Sequence, residues 1–444
     1  MRIERDAIGE MSLEDGQLYG IQTTRAVGNF ALDGRRTSLQ LIYAMTTIKK
    51  AAARTYKKLG IGRAGVYDAI LDACDTILAR EADDSFVTNA LQGGAGTSAH
   101  MNVNEVIANL ALKKLGFDCG RYDIVHPLDD VNRGQSTNDV YPTALRIAAI
   151  RLLRELSDCC AKLQQALQKK ELEFEHIPKL GRTELMDAVP ITLGQEFGSY
   201  AQAIARDRWR LYKVEERLRQ VNLGGTAVGN GDNARRKYRF GVLEELRELT
   251  GIGLASAEYP MDITQNNDVF VEVSGLLKAL SVNLMKISND LRLMNSGPGG
   301  GLAEITLAPL QAGSTIMPGK VNPVLPEMVM QVAMKVMAND GAISAAASHG
   351  EFELNAFLPL IADSLLENLM LLTNVTELLR TKCIELIRPN EKRCRELLEN
   401  SCAFATAYTP SLGYDRVCKI IEQSGGNPGK AQEILADISG QEIL

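Results

Sequence analysis

The chain has 444 residues, of which 45% are apolar and 23% are charged, and its net charge is −6. This length exceeds one ordinary hydrophobic core and predicts a globular protein of two or three domains. The acidic balance, the lack of a basic block and the 5% aromatic content argue against a nucleic-acid partner.

The N-terminus and the cysteines indicate the compartment. The first residues, MRIERD, are charged, and no apolar run approaches the ~18 residues of a membrane span. We therefore expect a cytoplasmic protein with no membrane partner. The eight cysteines include no CxxC pair, which predicts reduced thiols. With four histidines and no H-x-x-x-H spacing, no metal site is expected.

Four long helices are predicted from apolar residues spaced three and four apart. In chain order they cover Leu145 to Leu167, residues 192–220, Val273 to Met294, and roughly Pro359 to Ile387. Strand signals are thin, so a doubly wound sheet is disfavoured. Long helices with short Gly/Pro connectors predict an all-α protein built on an elongated helical bundle.

Two turn-rich segments suggest domain borders. They are VHPLDDVNRGQSTNDVYP (125–142), before the first long helix, and IRPNEKRC (387–394), after the last. We therefore divide the chain into an N-terminal helical domain (1–135), a central long-helix bundle (136–387) and a small C-terminal helical domain (388–444).

Two polar segments could bind an anion. The glycines of GGAGTSA (93–99) could bring backbone amides and the hydroxyl of Thr97 to a small anion; a dinucleotide fingerprint would need a preceding strand that this segment lacks. GQSTNDVYP (134–142) gathers polar side chains where a helix begins, which favours an anion. The polar side chains of this second segment are Ser136, Thr137 and Asn138. Ser, Thr and Asn are also ordinary N-cap residues.

A third polar segment, QAGSTIMPGKVNP (311–323), resembles a phosphate-binding loop only at first sight. Five residues separate its glycines where that motif has four, and Val321 stands where Ser or Thr must bind magnesium. Pro318 also removes an amide donor. The segment is therefore either a connector between helices or a Gly-hinged loop that presents Ser314, Lys320 and Asn322.

Five segments together resemble the aspartase/fumarase superfamily, and most closely its aspartate ammonia-lyases. The fifth contains the signature G-S-x-x-M-P-x-K-x-N-P, which is long and specific. The segments are YGIQTTRAVGNF (19–30), QGGAGTSAHMNVNEVIANL (92–110), GQSTND (134–139), GRTELMDAVPITLGQEF (181–197) and SGPGGGLAEITLAPLQAGSTIMPGKVNPVLPEM (296–328).

The resemblance implies a three-domain, all-helical enzyme that needs no cofactor. It implies a homotetramer whose central bundles form one helical core and whose active sites draw residues from three chains. The implied reaction is reversible β-elimination of a succinate derivative, a small dicarboxylate, to fumarate. At the C-terminus the resemblance fades, and ISGQEIL ends sooner than these enzymes usually do.

The resemblance also implies a role for each matching residue. Ser314 corresponds to the base that removes the Cβ proton, on a loop that closes over the substrate. Lys320 is the second catalytic residue, because a lysine directed at the serine oxygen helps to make it a base. Lys320 and the other residues also correspond to substrate-binding groups. They are Lys320, Asn322 and Thr183 for the α-carboxylate; Ser136 and Thr137, with loop amides at Thr315, Ile316 and Met317, for the β-carboxylate; and Thr97 and Asn138 near the leaving amine.

Glu184 departs from the superfamily's usual His or Gln beside the leaving group. An ionised carboxylate there would attract an ammonium and discourage a hydroxyl that needs a proton to leave, which favours aspartate over malate. It would also repel the substrate's carboxylates, and it could favour an amine with additional positive charge. Alternatively, Glu184 turns away or pairs with Arg182.

Other departures from the family pattern lie near the site. His100 stands where Asn is usual, as a satisfied polar contact or a new general acid, and Met186 replaces Gln. Leu128 and Asp130 replace Asn and His, so the secondary anion site of fumarases is expected to be lost. We expect an ammonia-lyase that acts on L-aspartate or a close amino-substituted succinate. The alternatives are a fumarate hydratase and a homologue without turnover.

Overall fold

The computed structural model describes residues 1–442 of the chain and the side chains of residues 1–438. Most of these residues are helical. The first helices are α1 (Ile21–Asn29), α2 (Leu39–Lys58), α3 (Val66–Leu78), α4 (Thr97–Lys114), α5 (Thr137–Glu173), α6 (Leu193–Leu218), α7 (Arg236–Thr250) and α8 (Pro260–Gln265). They are followed by α9 (Asp268–Met294), α10 (Val324–Ala347), α11 (Leu358–Lys382), α12 (Glu391–Glu399), α13 (Thr409–Leu412), α14 (Tyr414–Gln423) and α15 (Pro428–Glu442).

The four predicted long helices are present as α5, α6, α9 and α11, and α10 is a further long helix that the sequence analysis did not predict. The apolar residues spaced three and four apart in two of these helices are all buried; they are Leu145, Ala149, Leu152, Leu156, Cys160, Leu163 and Leu167 in α5, and Val273, Leu277, Leu280, Leu284, Ile287, Leu291 and Met294 in α9. Burial of such stripes, at about 25 cal/mol per Å² of apolar surface, is what stabilises helices of this length. The expected all-α fold class is confirmed.

Helix α5 begins at Thr137, before the predicted stretch from Leu145 to Leu167, and it includes Pro142 in its second turn. Proline has no N–H to donate to the carbonyl four residues earlier, which is that of Asn138. The side chain of Asn222 donates from Nδ2 to this carbonyl oxygen at 3.0 Å. A distant amide therefore replaces the missing backbone donor, and the helix continues through a residue that usually marks its end.

The described residues form four small two-stranded sheets. Two are antiparallel hairpins, β1 (Arg2–Arg5) with β2 (Glu10–Leu13), and β3 (Pro178–Thr183) with β4 (Met186–Thr192). The other two are two-residue pairs, β5 (Gln220–Val221) with β6 (Ala255–Ser256), and β7 (Ile305–Thr306) with β8 (Arg388–Pro389). Strands are thus local additions to a helical architecture.

The chain divides into two compact units. Unit 1 comprises Met1–Ser157, Trp209–Lys278 and Lys335–Leu371, and in it α2 packs against α3 and α7. Unit 2 comprises Asp158–Arg208, Ala279–Met334 and the described residues from Leu372. Unit 2 contains the β3–β4 hairpin and an apolar cluster formed by Ala405, Val417, Ile420 and Leu435.

The three-domain division remains a prediction, and residues 443–444 of the expected C-terminal domain lie outside the described residues. Within residues 1–442, one helical stretch, Leu358–Leu386, is long and apolar enough to cross a membrane by length and composition. Most of this stretch is buried inside the protein. A buried core helix accounts for its composition, and no membrane span is evident.

Candidate active site

The predicted site residues fall into two sets, one in each unit. Unit 1 carries Thr97, Ser136, Thr137 and Asn138, and unit 2 carries Thr183, Glu184, Ser314, Thr315, Ile316, Met317, Lys320 and Asn322. Each set is described within its own unit.

Ser136 caps the N-terminus of α5. Its Oγ accepts a hydrogen bond from the backbone N–H of Asn138 at 3.2 Å, and Asp139 Oδ1 accepts from the N–H of Ser136 at 3.0 Å. This reciprocal arrangement satisfies two donors that a helix N-terminus leaves without intrahelical partners. Because the Ser136 oxygen acts as an acceptor here, its hydroxyl proton remains available to an anion.

Helix α4 brings two further polar side chains to this place. Thr97, the first residue of α4, is exposed and donates from Oγ1 to the carbonyl of Gly94 at 2.6 Å. One turn later, His100 Nδ1 lies 2.7 Å from Thr137 Oγ1. The preceding Gly96 has φ +91°, and a Cβ there would overlap the ring of Tyr141, so only glycine allows α4 to begin so close to α5.

Asn138 is oriented by its amide group. Its Nδ2 donates to the carbonyl of Ala227 at 2.7 Å. Among the described residues no donor contacts its Oδ1, so this oxygen can accept a hydrogen bond from a ligand. An amide oxygen in this orientation suits an ammonium donor.

Two buried charged residues support the unit 1 set. The carboxylate of Asp139 accepts N–H bonds from Gly224 and Thr226, both at 3.0 Å, in addition to that from Ser136. Burial outweighs these bonds and raises the pKa of Asp139 to about 6. Lys49, 1% exposed, donates to Asn132 Oδ1 at 2.7 Å and Gln135 Oε1 at 3.0 Å; burial lowers its pKa to about 7.

Neither residue was predicted from the sequence. Asp139 could have been recognised, because it occupies the third helical position after Ser136, where a carboxylate completes a capping arrangement. No feature of the sequence distinguishes Lys49. Its neighbour Lys50 is an ion-paired partner of Asp75 at the surface, and the sequence IKKAAA does not distinguish the two lysines.

In unit 2, the 311–323 segment folds into a closed loop. The N–H of Gly313 donates to the carbonyl of Lys320 at 3.0 Å, and Asn322 Nδ2 donates to the carbonyl of Gly313 at 2.7 Å. A Cβ at Gly313 would overlap the Lys320 carbonyl, so this crossing of the chain requires glycine. These hydrogen bonds within the loop are more than a simple connector between helices requires.

Ser314 lies at the centre of this loop. Its Oγ accepts hydrogen bonds from the backbone N–H of Met317 at 2.7 Å and of Ile316 at 3.2 Å. Thr315 lies between them in the sequence and is exposed. Lys320 Nζ donates to Asn322 Oδ1 at 2.8 Å, so its charge is held beside Asn322. Two amides directed at one hydroxyl oxygen favour the alkoxide form of that oxygen.

The segment GRTELMDAVPITLGQEF (181–197), which was expected to place Thr183 and Glu184 in a turn before a helix, forms most of a hairpin instead. Thr183 and Glu184 lie at the tip of the β3–β4 hairpin, where Thr183 pairs with Met186, and α6 begins only at Leu193. Glu184 and Leu185 have φ values of +54° and +64°. Each such conformation costs a non-glycine residue about 1–2 kcal/mol, so the turn retains these side chains at an energetic cost.

The carboxylate of Glu184 is exposed, and no ion pair involves it among the described residues. Arg182, its suggested partner, instead donates to Glu304 Oε1 at 2.8 Å. Lys179 Nζ lies 2.9 Å from the other Glu304 oxygen and 2.7 Å from Glu196. This network engages both cations of β3, Lys179 and Arg182, with carboxylates other than that of Glu184.

The altered HPLDDVN segment has a structural role for its acidic residue. Asp130 is buried, lies 2.8 Å from Arg63 Nη2 and accepts the N–H of His126 at 2.9 Å. Leu128 is partly exposed.

Among the described residues, no group of three or more His, Cys, Asp or Glu side chains could hold a metal ion.

Comparisons with known proteins identify the family. A family model described as Lyase matches residues 9–338. An aspartate ammonia-lyase of Helicobacter pylori is 44% identical over 426 residues, which cover 96% of this chain and 91% of that protein. The chain belongs to the aspartase/fumarase superfamily. The resemblance inferred from the sequence is therefore confirmed, and so is the expectation that this member of the superfamily is a lyase.

Solved structures agree with the fold of this superfamily member. A Brucella melitensis protein, described as a fumarate lyase:delta crystallin bound to cobalt, matches with a TM-score of 0.93 and 43% identity. The match covers 97% of this chain and 95% of that one. A class II fumarase of Schistosoma mansoni matches with a TM-score of 0.94 and 32% identity, over 98% and 95% of the two chains.

The depressed pKa of Lys49 makes stability depend on pH. The folded-state pKa of about 7 lies below the ordinary value of 10.5, so between these values the unfolded chain binds more protons. The free energy of unfolding should therefore rise with pH in this window. We expect the free energy of unfolding of the wild type, minus that of Lys49→Met, to rise by roughly 1 kcal/mol per pH unit from about pH 7.5 to about pH 9.5. Urea titration at each pH measures both free energies.

Lys50→Met is the matched control for this slope, because Lys50 follows on the same helix but pairs with Asp75 at the surface. It should leave the pH dependence close to that of the wild type. Asp139 and Cys74 interact with the charge of Lys49, but their pKa values of about 6 and about 12 lie outside this window. Equal slopes in the wild type and Lys49→Met would contradict the prediction.

Proposed function

We propose that this lyase eliminates ammonia from L-aspartate, or from a close amino-substituted succinate, to give fumarate. The observation that carries the proposal is the loop in which two backbone N–H groups are directed at Ser314 Oγ. Relatives named aspartate ammonia-lyase, at 42–44% identity, support the same reaction. No cofactor is assigned to the reaction.

Removal of the Cβ proton is the difficult step, because the carbon acid is weak. Ser314 is the proposed base, and as an alkoxide its charge is stabilised by the N–H groups of Ile316 and Met317. The C–H electron pair forms the new double bond, and the Cα–N bond breaks. An ammonium leaves as neutral ammonia with that bond's electron pair, and the proton stays on Ser314.

The proposed carboxylate contacts come from both sets of residues. Lys320, Asn322 and Thr183 hold the α-carboxylate, with the lysine supplying the positive charge. Ser136 and Thr137, with the loop amide of Thr315, hold the β-carboxylate, where negative charge accumulates as the proton leaves. Thr97 and Asn138 lie near the amine, for which the Oδ1 of Asn138 is a suitable acceptor.

Glu184 is the proposed specificity residue on the amine side. Among the described residues its carboxylate forms no ion pair, and Arg182 is engaged by Glu304, so Glu184 can pair with the substrate's ammonium. A hydroxyl leaving group would require a proton that an ionised carboxylate does not supply. Fumarate hydratase is the second candidate function, favoured by the match to a class II fumarase, and Glu184 argues against it.

We also propose a cytoplasmic homotetramer in which active sites are shared between chains. Long helices expose large apolar side chains that a folded chain alone leaves in water, among them Trp209, Tyr212, Val282 and Met334. All eight cysteines are free, as in a reducing compartment; cell fractionation would check the location.

Removal of the proposed base gives the direct test. Ser314→Ala should lower kcat for release of fumarate from L-aspartate by about a thousandfold, followed by ultraviolet absorbance. Ser411→Ala is the matched control, because this exposed hydroxyl contacts only the carbonyl of Tyr408. Undiminished turnover in Ser314→Ala would remove Ser314 as the base. Fumarate from L-malate and not from L-aspartate would make the enzyme a hydratase.

The charge of Glu184 can be removed without changing its shape. Glu184→Gln should still release fumarate from L-aspartate but with a KM raised by about tenfold, because one charge-assisted contact to the ammonium is lost. Asp187→Asn, on the same hairpin, is the control and should leave KM unchanged. Complete loss of turnover in Glu184→Gln, with the assembly intact, would mean that Glu184 takes part in proton transfer.

The assembly is measured independently of activity. Light scattering of the purified protein should give four times the chain mass of 48.4 kDa. Trp209→Lys should lower this mass, because a charge would be placed in an apolar contact between chains. A monomer that turns over L-aspartate would contradict the proposal that active sites are shared.

A further inference from the structure

His100 is buried beside the proposed β-carboxylate site, with one ring nitrogen paired and the other not. Its side chain is 1% exposed, and Nδ1 lies 2.7 Å from Thr137 Oγ1. Nε2 is also buried and has no hydrogen-bond partner among the described residues. Burial, and then the nearby charge of Lys49, hold the pKa of His100 well below its ordinary value of 6.5. The ring is therefore neutral, with one N–H and one acceptor nitrogen.

The two possible positions of the ring proton have different costs. With the proton on Nε2, a buried N–H has no acceptor among the described residues. With the proton on Nδ1, the unpartnered atom is an acceptor, and native proteins tolerate an unpaired acceptor better than an unpaired donor. The Nδ1–H tautomer is therefore the favoured form.

This tautomer decides what Thr137 can do. A hydroxyl has one proton, and a carboxylate ligand can only accept hydrogen bonds. If Thr137 donated to Nδ1, its proton would be used and its oxygen lone pairs would face the substrate's negative charge. When Nδ1–H donates to the Thr137 oxygen instead, the hydroxyl proton is free to contact a carboxylate.

We propose that His100 is a positioning residue whose Nδ1–H holds the Thr137 hydroxyl as a hydrogen-bond donor toward the substrate's β-carboxylate. The proposal rests on the proposed function, because it takes Thr137 to be a carboxylate contact. His100 itself touches no substrate and transfers no proton. It therefore does not serve as the new general acid that the sequence left open.

Amide side chains distinguish the two edges of the ring. The Nδ2 of an asparagine occupies nearly the place of Nδ1, since both atoms are bonded to Cγ, whereas the amide of a glutamine extends to the place of Nε2. His100→Asn should therefore keep the donor to Thr137, and His100→Gln should lose it. Both variants are uncharged and polar, so a general effect on packing does not predict this order.

Succinate is a suitable probe, because it has both carboxylates and no leaving group. We expect His100→Asn to bind succinate within about threefold of the wild type, and His100→Gln to bind about tenfold more weakly, as for loss of one hydrogen bond to a charged group. Isothermal calorimetry gives these dissociation constants, and thermal melting establishes that each variant is folded. KM for L-aspartate should follow the same order.

A Thr137→Val background tests whether His100 acts through Thr137. Without the hydroxyl, His100→Gln and His100→Asn should bind succinate equally. Equal binding by both variants in the Thr137-containing protein would overturn the proposal, and so would a persistent difference in the Thr137→Val background. If His100→Gln does not fold, weakened binding by a folded His100→Asn would overturn it as well.

The two proposals fail in distinguishable ways. A wild-type protein that neither binds succinate nor releases fumarate from L-aspartate would contradict the proposed function. An active wild type whose Thr137→Val variant binds succinate normally would remove Thr137 as a carboxylate contact, and the role of His100 with it. An active wild type with normal His100→Gln would overturn only the positioning role of His100.

Discussion

The buried carboxylate of Asp139 holds together the backbone that arranges the first set of candidate residues. One oxygen accepts the N–H of Ser136, where α5 begins, and the other accepts the N–H groups of Gly224 and Thr226. A buried ion without such donors would cost several kcal/mol, and three donors at a helix N-terminus offset much of that cost. Because Asp139 satisfies these groups from inside the protein, the side chains of Ser136 and Thr137 can serve a ligand outside it.

The candidate residues of unit 2 are arranged by backbone groups, whereas those of unit 1 are arranged by a buried charge. Ser314 receives two amide hydrogens from its own loop, and the loop is closed by Gly313 and Asn322. Backbone donors fixed by ring closure need little reorganisation when charge appears on the serine oxygen, which is the physical basis of electrostatic preorganisation. A single glycine without a Cβ permits this closure, so the chemistry of the loop depends on a residue that carries no functional group.

Much of the fold could be predicted because helical periodicity and burial agree: the apolar residues spaced alternately four and three apart from Val273 to Met294 are all buried. What could not be predicted depended on distant partners. Helix α5 extends through Pro142 because Asn222 supplies the missing donor. The β3–β4 hairpin was missed because its turn residues, Glu184 and Leu185, lack the Asn-Gly chemistry that normally marks such a turn. The motif residues of the candidate site were inferred from the signature and stay a prediction, whereas no feature of the sequence indicated the burial of Lys49.

The two departures from the family pattern nearest to the substrate differ in physical character. His100 replaces an amide with a neutral ring that keeps a donor at the same edge, and it lies inside the protein. Glu184 replaces a neutral or basic side chain with an exposed carboxylate, and Glu304 engages Arg182, two residues earlier. On the proposed function, a donor retained at His100 would keep carboxylate binding intact, whereas a charge added at Glu184 would change which leaving group is favoured. We therefore expect the substrate preference to be set mainly at the tip of the β3–β4 hairpin, where Glu184 and Leu185 hold side chains at positive φ.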